Sequence, residues 1–506
     1  MTTAASLTRA KFFFALSAST VVLFHAAWAF LWPDVFYFPD SLDFFDTLEY
    51  WDSNHAVFVG YLRTPAYPLF FLVLHKTLGL GLLALVQHSS LAAMIVLSGL
   101  VMGRMLKSRQ GWIIAGIFTL VAGFAPSQFM YASHAMTEGL ATQALLAVIL
   151  CFILWMSRSS ALSVAVLGLV LAMAVLLRAV NVILVPLALA FVLVITTKNR
   201  GARKALLHAA ILCAVFFITV FPWMRYNKIV HSRFALSNMG ALALVHSYSH
   251  LIDMDSGIFS EIKNVLRPVH EKEMEAQKSL SPEALMFDGM KRACGENSYF
   301  DILMKKFGYT IPQLDKVMKA LVFEGMKKRP DEVASLVLRR FWHLITRAPG
   351  LSERALVENL YFWVETPPSP NMRRDAPALF TRYGLVTPLS PGAAARKEKA
   401  RHLWRIEEIL SGFYVRAAPA FLWLGVLLLP ALRRRGPFAL GLFCAGLVFA
   451  PLGVTAAMTP PEFRFYQPFS VPVMFLLALE ISAFWPLMAR AAGYVSRLLK
   501  KPESSP

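Results

Sequence analysis

The feature that most constrains this chain is a series of apolar runs, each close to the length that crosses a bilayer. They fall at 12–32, 84–106, 112–131, 138–157, 161–178, 180–197, 205–224, 418–432, 437–457 and 467–488. Crossing the hydrocarbon takes about 20 helical residues at a rise of ~1.5 Å each. Inside lipid every backbone N–H and C=O must be paired within the segment, so such runs fold as helices. The expectation is an all-α polytopic membrane protein with about ten transmembrane helices. Its shorter spans, such as 161–178, require tilt of their neighbours or local thinning of the bilayer. Composition agrees: 57% of residues are hydrophobic and 16% charged, with mean hydropathy +0.54. Soluble domains run at about 45–50% apolar and about 25% charged, so a single large soluble enzyme and a disordered chain are both excluded.

The net charge of +19 would fit a nucleic-acid partner, but its placement argues for membrane topology instead. Arg9 and Lys11, then Arg104, Lys107 and Arg109, Arg158, Lys198 to Lys204, Arg433 to Arg435, and Arg490 to Lys501 mark every second loop. Basic short loops stay in the cytoplasm, so both termini are expected there, in a cell inner or plasma membrane. The first run is too long for a signal-peptide core and is followed by Trp32-Pro33, so it reads as an uncleaved anchor. Three of the four cysteines, Cys151, Cys213 and Cys444, lie in apolar runs and behave as small hydrophobes. Cys294 stands alone in a polar stretch, and no metal-ligand spacing is present.

This topology sends two long segments to the outer face, 33–83 and 225–417. The second has 29 Lys/Arg and 21 Asp/Glu and reads as a mostly helical extracytoplasmic domain. Ser281-Pro282-Glu283 has the pattern of a helix start, with Gly295 as a stop. Arg329-Pro330-Asp331-Glu332 starts another, with Val333, Leu336, Val337, Arg340, Phe341 and Leu344 along one side. The stretch 366–391, rich in Pro, Ser and Gly, reads as loop. No internal repeat suggests an inverted-repeat transporter. Three parts follow: a seven-span module 1–224, the domain 225–417, and three C-terminal spans with a basic tail in 418–506.

The acids are unevenly placed. Before the large domain there are Asp34, Asp40, Asp43, Asp46, Glu49, Asp52 and Glu138, all on the expected outer face. A transporter more often sets carboxylates in mid-membrane. Here they line a rim, suited to chemistry at the surface or to holding a metal ion. Residues 39–52 put Leu42, Phe45, Leu48 and Trp51 at helical spacing, which predicts an interfacial helix on the bilayer. Asp40 at its start is either an N-cap or a general base, and local pattern alone favours the cap.

Arg63, in Tyr61-Leu62-Arg63-Thr64-Pro65-Ala66-Tyr67-Pro68, either snorkels to headgroups or holds a phosphate. Thr137 suits a cap for the fourth span, with Glu138 complementing the helix end. Glu138 is also the only acid in 53–224, which singles it out; His134, a turn earlier, is more often structural. Arg225 and Arg464 join Arg63 on the outer face, against the positive-inside trend, where they would clamp a lipid phosphate. Glu480 inside the last span is expected to pair within the bundle.

The ordered set Pro39-Asp40-Ser41, Arg63-Thr64-Pro65-Ala66-Tyr67-Pro68, Thr137-Glu138, Leu177-Arg178 and Pro222-Trp223-Met224-Arg225-Tyr226-Asn227, with a late Arg464, resembles the GT-C glycosyltransferases. These multispan enzymes, among them protein mannosyltransferases and lipid A aminoarabinose transferases, use polyprenyl-phosphate sugars. The likeness covers the first seven spans well and the last three loosely. It implies an inverting transfer from the lipid-linked sugar to a lipid, glycan or protein hydroxyl. Asp40 and Glu138 would be the catalytic carboxylates. Arg63, Tyr67, His134, Arg178, Arg225, Asn227 and Arg464 would bind donor and substrate. A divalent cation, Mg or Mn, held by Asp40 and Glu138 would fit the family chemistry. The chain departs from the family in having many acids in the first loop, which makes Asp43 a rival to Asp40. No Walker A or GxGxxG motif is present, so no nucleotide is implied. Two other classes compete: a lipid or glycan transporter or flippase, and a non-catalytic polytopic partner in envelope assembly.

Overall fold

A computed structural model of the chain describes residues 2–36, 39–60, 63–238, 240–255, 257–278, 298–347, 376–387, 392–399, 401–432, 437–458 and 466–499. Among the described residues there is no β-strand. Among the described residues, eight helical segments are long and apolar enough to cross a membrane: Ala5–Leu31, Leu80–Leu106, Thr137–Arg158, Ala179–Arg200, Ala202–His231, Glu408–Leu427, Phe438–Met458 and Gln467–Trp485. The chain is therefore an all-α, multi-pass membrane protein.

Two of the ten expected spans take another form. The run 112–131 is two helices, Arg109–Gly123 and Pro126–Ala132, bent by 56° where Pro126 denies a backbone donor. The run 161–178 is the apolar helix Ala161–Leu177, shorter than the other eight. The run 418–432 starts earlier than expected. Its helix is continuous from Arg401 to Leu427, and the polar residues in its first half hid the start.

In chain order the elements that position the site are α1 (Thr2–Leu31), α2 (Pro39–Asn54), α3 (Ala66–Thr77), α4 (Leu83–Leu106) and α5 (Arg109–Gly123). After them come α6 (Pro126–Ala132), α7 (Thr137–Arg158), α8 (Ala161–Leu177), α9 (Leu184–Arg200) and α10 (Ala202–His231). Helices α1, α4 and α5 form one tight layer. Without a hydrophobic drive between spans, close backbone approach through small residues does the work. A Cβ on Gly123 would sit 2.5 Å from the Val21 methyls, so only glycine fits there.

A buried chain of hydrogen bonds crosses this layer. Gly123 offers only a carbonyl, so His25 Nε2–H donates to it at 3.0 Å. His25 Nδ1 then accepts, and His88 Nδ1–H donates to it at 3.0 Å. His88 Nε2 accepts from the Ser133 hydroxyl at 2.9 Å, which in turn accepts from Trp28 Nε1–H at 3.3 Å. The acceptor-only carbonyl at one end sets this donor direction for a pair of neutral imidazoles. The chain anchors Ser133, next to the turn that carries His134 and Glu138.

At that same end sits a second core, built by α11 (Gly240–Tyr248), α12 (Ser260–Lys278), α13 (Tyr299–Phe307), α14 (Ile311–Lys328) and α15 (Pro330–Thr346). The expected helix after Arg329 is α15, with Leu336, Arg340 and Leu344 buried on one side. The expected start at Ser281 and stop at Gly295 lie outside the described residues, as does Cys294. This domain is tied to the bundle. Tyr248 donates to the Ala457 carbonyl at 2.6 Å and Ser247 to that of Met458 at 2.9 Å. Buried Asp315 pairs with Arg233 just after α10 and with Lys319 at 3.0 Å. The remaining elements are α16 (Ala376–Arg382), α17 (Ala393–Lys399), α18 (Arg401–Leu427), α19 (Leu429–Leu432), α20 (Phe438–Met458) and α21 (Ser470–Leu499). Helix α16 falls within a stretch expected to be all loop.

Candidate functional site

Two short extended segments meet where α1 ends and α7 begins. Phe36 N–H donates to the Ser133 carbonyl at 2.8 Å, and Ala135 N–H donates back to the Phe36 carbonyl at 2.9 Å. This bridge fixes the chain that leads into α2. Pro39 opens α2, so Asp40 sits in its first turn and not before it; the Asp40 side chain lies outside the described residues. The apolar stripe of α2 does not lie bare on lipid. Phe45 packs on Phe71 of α3 and on Phe380 and Tyr383, and Phe44 packs on Tyr67.

Glu138 is buried in the first turn of α7. Its Oε1 lies 3.3 Å from Arg178 Nη1, and its Oε2 accepts from the Thr137 hydroxyl at 3.2 Å. Thr137 is thus the first helical residue and spends its hydroxyl on the carboxylate, with Met136 as N-cap. Arg178 is in extended conformation at the end of α8, where it leaves the helix and turns to α7. One residue earlier, the Leu177 carbonyl accepts from the Thr64 hydroxyl at 2.8 Å. That bond brings the Arg63–Pro65 segment against the end of α8.

Arg63 donates through Nε to Asp43 at 2.7 Å, with its guanidinium over the Phe44 ring. Tyr67 is fully buried and donates to Gln87 Oε1 at 3.3 Å. Gln87 Nε2 holds the carbonyls of Ala132 and His134 at 3.1 and 2.9 Å. Burial, with the charge of Glu138 nearby, keeps the Tyr67 phenol well above its usual range, so it stays a donor. Burial also lowers His134 to about 4; neutral, it donates through Nδ1 to the Met130 carbonyl at 2.6 Å.

Beside this polar nook is an apolar cleft of about 260 Å³, walled by Val57, Val59, Pro65, Leu69, Leu176, Thr219, Pro222, Trp223 and Tyr226. Pro65 and Leu176 stand two residues from Arg63 and Arg178. Tyr226 and His231 brace the cleft: the Tyr226 hydroxyl accepts from Val59 N–H at 2.9 Å, and His231 Nε2 donates to the Val59 carbonyl at 3.1 Å. Arg225 is exposed on the same turn of α10. Asn227 is buried and donates to the Ala235 carbonyl at 2.7 Å, which shapes the exit from α10. Arg464 lies outside the described residues.

The sequence-predicted residues thus separate. Glu138, Arg178, Tyr67 and His134 belong to one polar cluster, Arg63 pairs with Asp43 of α2, and Arg225 and Asn227 belong to α10, whose Trp223 and Tyr226 wall the cleft. Around Glu138 the described partners are a guanidinium and a hydroxyl, a set that suits an anion more than a divalent cation. Among the described residues, no three His, Cys, Asp or Glu side chains come together as a metal group.

Sequence reasoning missed the clasp on the first loop. Fully buried Asp34 takes two bonds from Arg396 of α17, at 2.8 and 2.6 Å, and Val35 N–H donates to the Val386 carbonyl at 2.7 Å. Asp34 and Arg396 are 362 positions apart, so no local pattern could pair them. Gln87 and His88 were a readable signal, since polar residues inside an apolar run seek partners. Comparisons with protein-family models, curated proteins and solved structures found no match for this chain.

Proposed function

We propose that the chain is an inverting membrane glycosyltransferase that moves a sugar from a polyprenyl phosphate to an acceptor hydroxyl at the outer face. The observation that carries this reading is the junction at Thr64 and Leu177. There Pro65 and Leu176, on the wall of the apolar cleft, each stand two residues along the chain from an arginine, Arg63 and Arg178, and an apolar cleft with arginines on its flanking segments suits a lipid tail joined to a phosphate. The topology belonging to this reading has ten spans, both termini in the cytoplasm and 225–417 outside.

The chemistry follows from the residues. Asp40 takes the proton of the acceptor hydroxyl as its oxygen attacks the anomeric carbon. The bond from that carbon to the phosphate oxygen breaks, and the lipid phosphate leaves as an anion. Arg178, joined by Arg63, stabilises the charge gathering on the phosphate. Glu138 orients Arg178 and the acceptor. Asp43 is engaged by Arg63, which supports Asp40 as the base.

The test is Asp40→Asn in purified protein, assayed by transfer from a polyprenyl-phosphate sugar. A lost general base slows transfer by about 10²–10⁴-fold while the fold and donor binding survive. Full activity of Asp40→Asn with a dead Asp43→Asn moves the base to Asp43. If both are active, the first loop holds no base. One observation favours a second reading, a lipid or glycan transporter: Glu480 is sealed in the last span, with neither oxygen hydrogen-bonded among the described residues. A transporter moves the intact lipid across vesicles without breaking the sugar bond.

A further inference from the structure

Helix α15 starts in one core and ends in another. Leu336 belongs to the domain core, whereas Leu344 and Ile345, eight and nine residues on, belong to the core of the membrane bundle. Arg340 marks the crossing: it is buried under Ser247 and Tyr248, which sit on the last residues of α20. Beyond it, the Phe341 ring lies 6.4 Å from that of Phe449, and the Trp342 ring 5.9 Å from that of Trp423. Phe449 is nine residues before the end of α20, about 13 Å along the helix axis. Trp423 is inside the Glu408–Leu427 span. So the second half of α15 runs at the depth of membrane helices.

Among the described residues, nothing covers one face of it. Leu338 is 67% exposed and Trp342 60%, one turn apart, and Trp342 packs on Trp423 of α18, whose neighbour Leu424 is also exposed. Arg339 points back up the helix, its Nε donating to the Ser335 carbonyl, as a snorkelling arginine does. The chain does not stay down. Tyr383 and Val386 are again at the end of the bundle, bonded to Asp52 and Val35. We propose that α15 is a re-entrant wedge: its half from Leu338 to Thr346 is sunk in the leaflet on the domain side, with Leu338 and Trp342 against acyl chains. Asp331, Glu332, Arg339 and Arg340 dilute its hydropathy, which is why no hydropathy window finds it. The domain is therefore anchored in lipid as well as joined to the bundle, and this holds whatever the protein catalyses.

The occupant of the face is fixed as lipid by its continuity with the spans, and the test uses full-length protein in phosphatidylcholine–phosphatidylglycerol vesicles. In a background with Cys151, Cys213, Cys294 and Cys444 changed to Ala, an environment-sensitive dye is attached at Leu338→Cys or Trp342→Cys. Glu271→Cys on α12 and Ile218→Cys on α10 serve as wet and lipid-facing references. The dye at 338 and 342 should emit to the blue, be quenched by nitroxide-labelled acyl chains, and resist iodide, as at 218. Iodide quenching at both sites, as at 271, overturns the wedge. So does shielding from both quenchers, which means a second copy or another protein covers the face. Variants are compared only where they elute as the parent does, and the two positions test the face independently.

Discussion

Glu138 and Glu480 are both sealed inside helices of this bundle, yet they are held in opposite ways. Glu138 has an arginine at 3.3 Å and a hydroxyl at 3.2 Å. Among the described residues, Glu480 has no hydrogen-bond partner at either oxygen. A buried carboxylate is costly unless paired, so the first is built into its place and the second is tolerated there. The difference teaches where the polar chemistry of the molecule is organised: at the end of the bundle beside the first loop, not along the last span.

The largest effect should come from breaking the built pair. Arg178→Ala leaves the Glu138 carboxylate buried with only a hydroxyl, and removing one partner of a buried pair costs about 3–5 kcal/mol. Thermal unfolding in detergent micelles checks this. The double variant Arg178→Ala with Glu138→Gln should recover much of the loss, since it removes the orphaned charge. An unchanged midpoint for Arg178→Ala would mean the pair is not structural and the contrast with Glu480 is false. Next in size is the opposite change. Glu480→Leu removes two unsatisfied oxygens, worth about 1–3 kcal/mol, and should raise the midpoint. A fall in the midpoint would mean that Glu480 has a task in the bundle, and the transporter reading would gain.

How much of this was readable in the sequence follows from range. Apolar runs are local, so helices such as Phe438–Met458 were expected within a few residues. Breaks that depend on one residue were less visible, as at Pro126. The polar cluster was half legible. Glu138 stood out as the single acid across 53–224, and its partner Arg178 was named from motif order, though not as a pair. Asp34 with Arg396, and His25 with His88, needed the fold to bring distant segments together. The acids read as a rim suited to surface chemistry or to a metal ion, whereas Asp34, Asp43, Glu49 and Asp52 each have a cationic partner. Charge counts along a chain do not show neutralisation across it.

Asp52 extends the comparison to a carboxylate that is paired but wet, and it should give the smallest effect. It accepts from Lys76 at 3.1 Å and from the Tyr383 hydroxyl at 3.1 Å, with Arg382 at 3.7 Å and a quarter of its side chain exposed. Burial alone would raise its pKa, but the bonds from Lys76 and Tyr383 outweigh that and bring it below the usual 3.8. The proton is therefore held less tightly in the folded chain than in the unfolded one. Such a group stabilises the fold fully above about pH 3.8, and the contribution fades as pH falls through the lower folded value. Solvent screens the pair, so Asp52→Asn should cost no more than about 1 kcal/mol at neutral pH. The gap in unfolding midpoint between the parent and Asp52→Asn should be steady from pH 7 to about 5 and close below about 3.8. A gap that persists at pH 2.5 would show that shape, and not charge, sets the contact. A gap as large as that of Arg178→Ala would break the distinction between wet and sealed pairs on which the contrast rests.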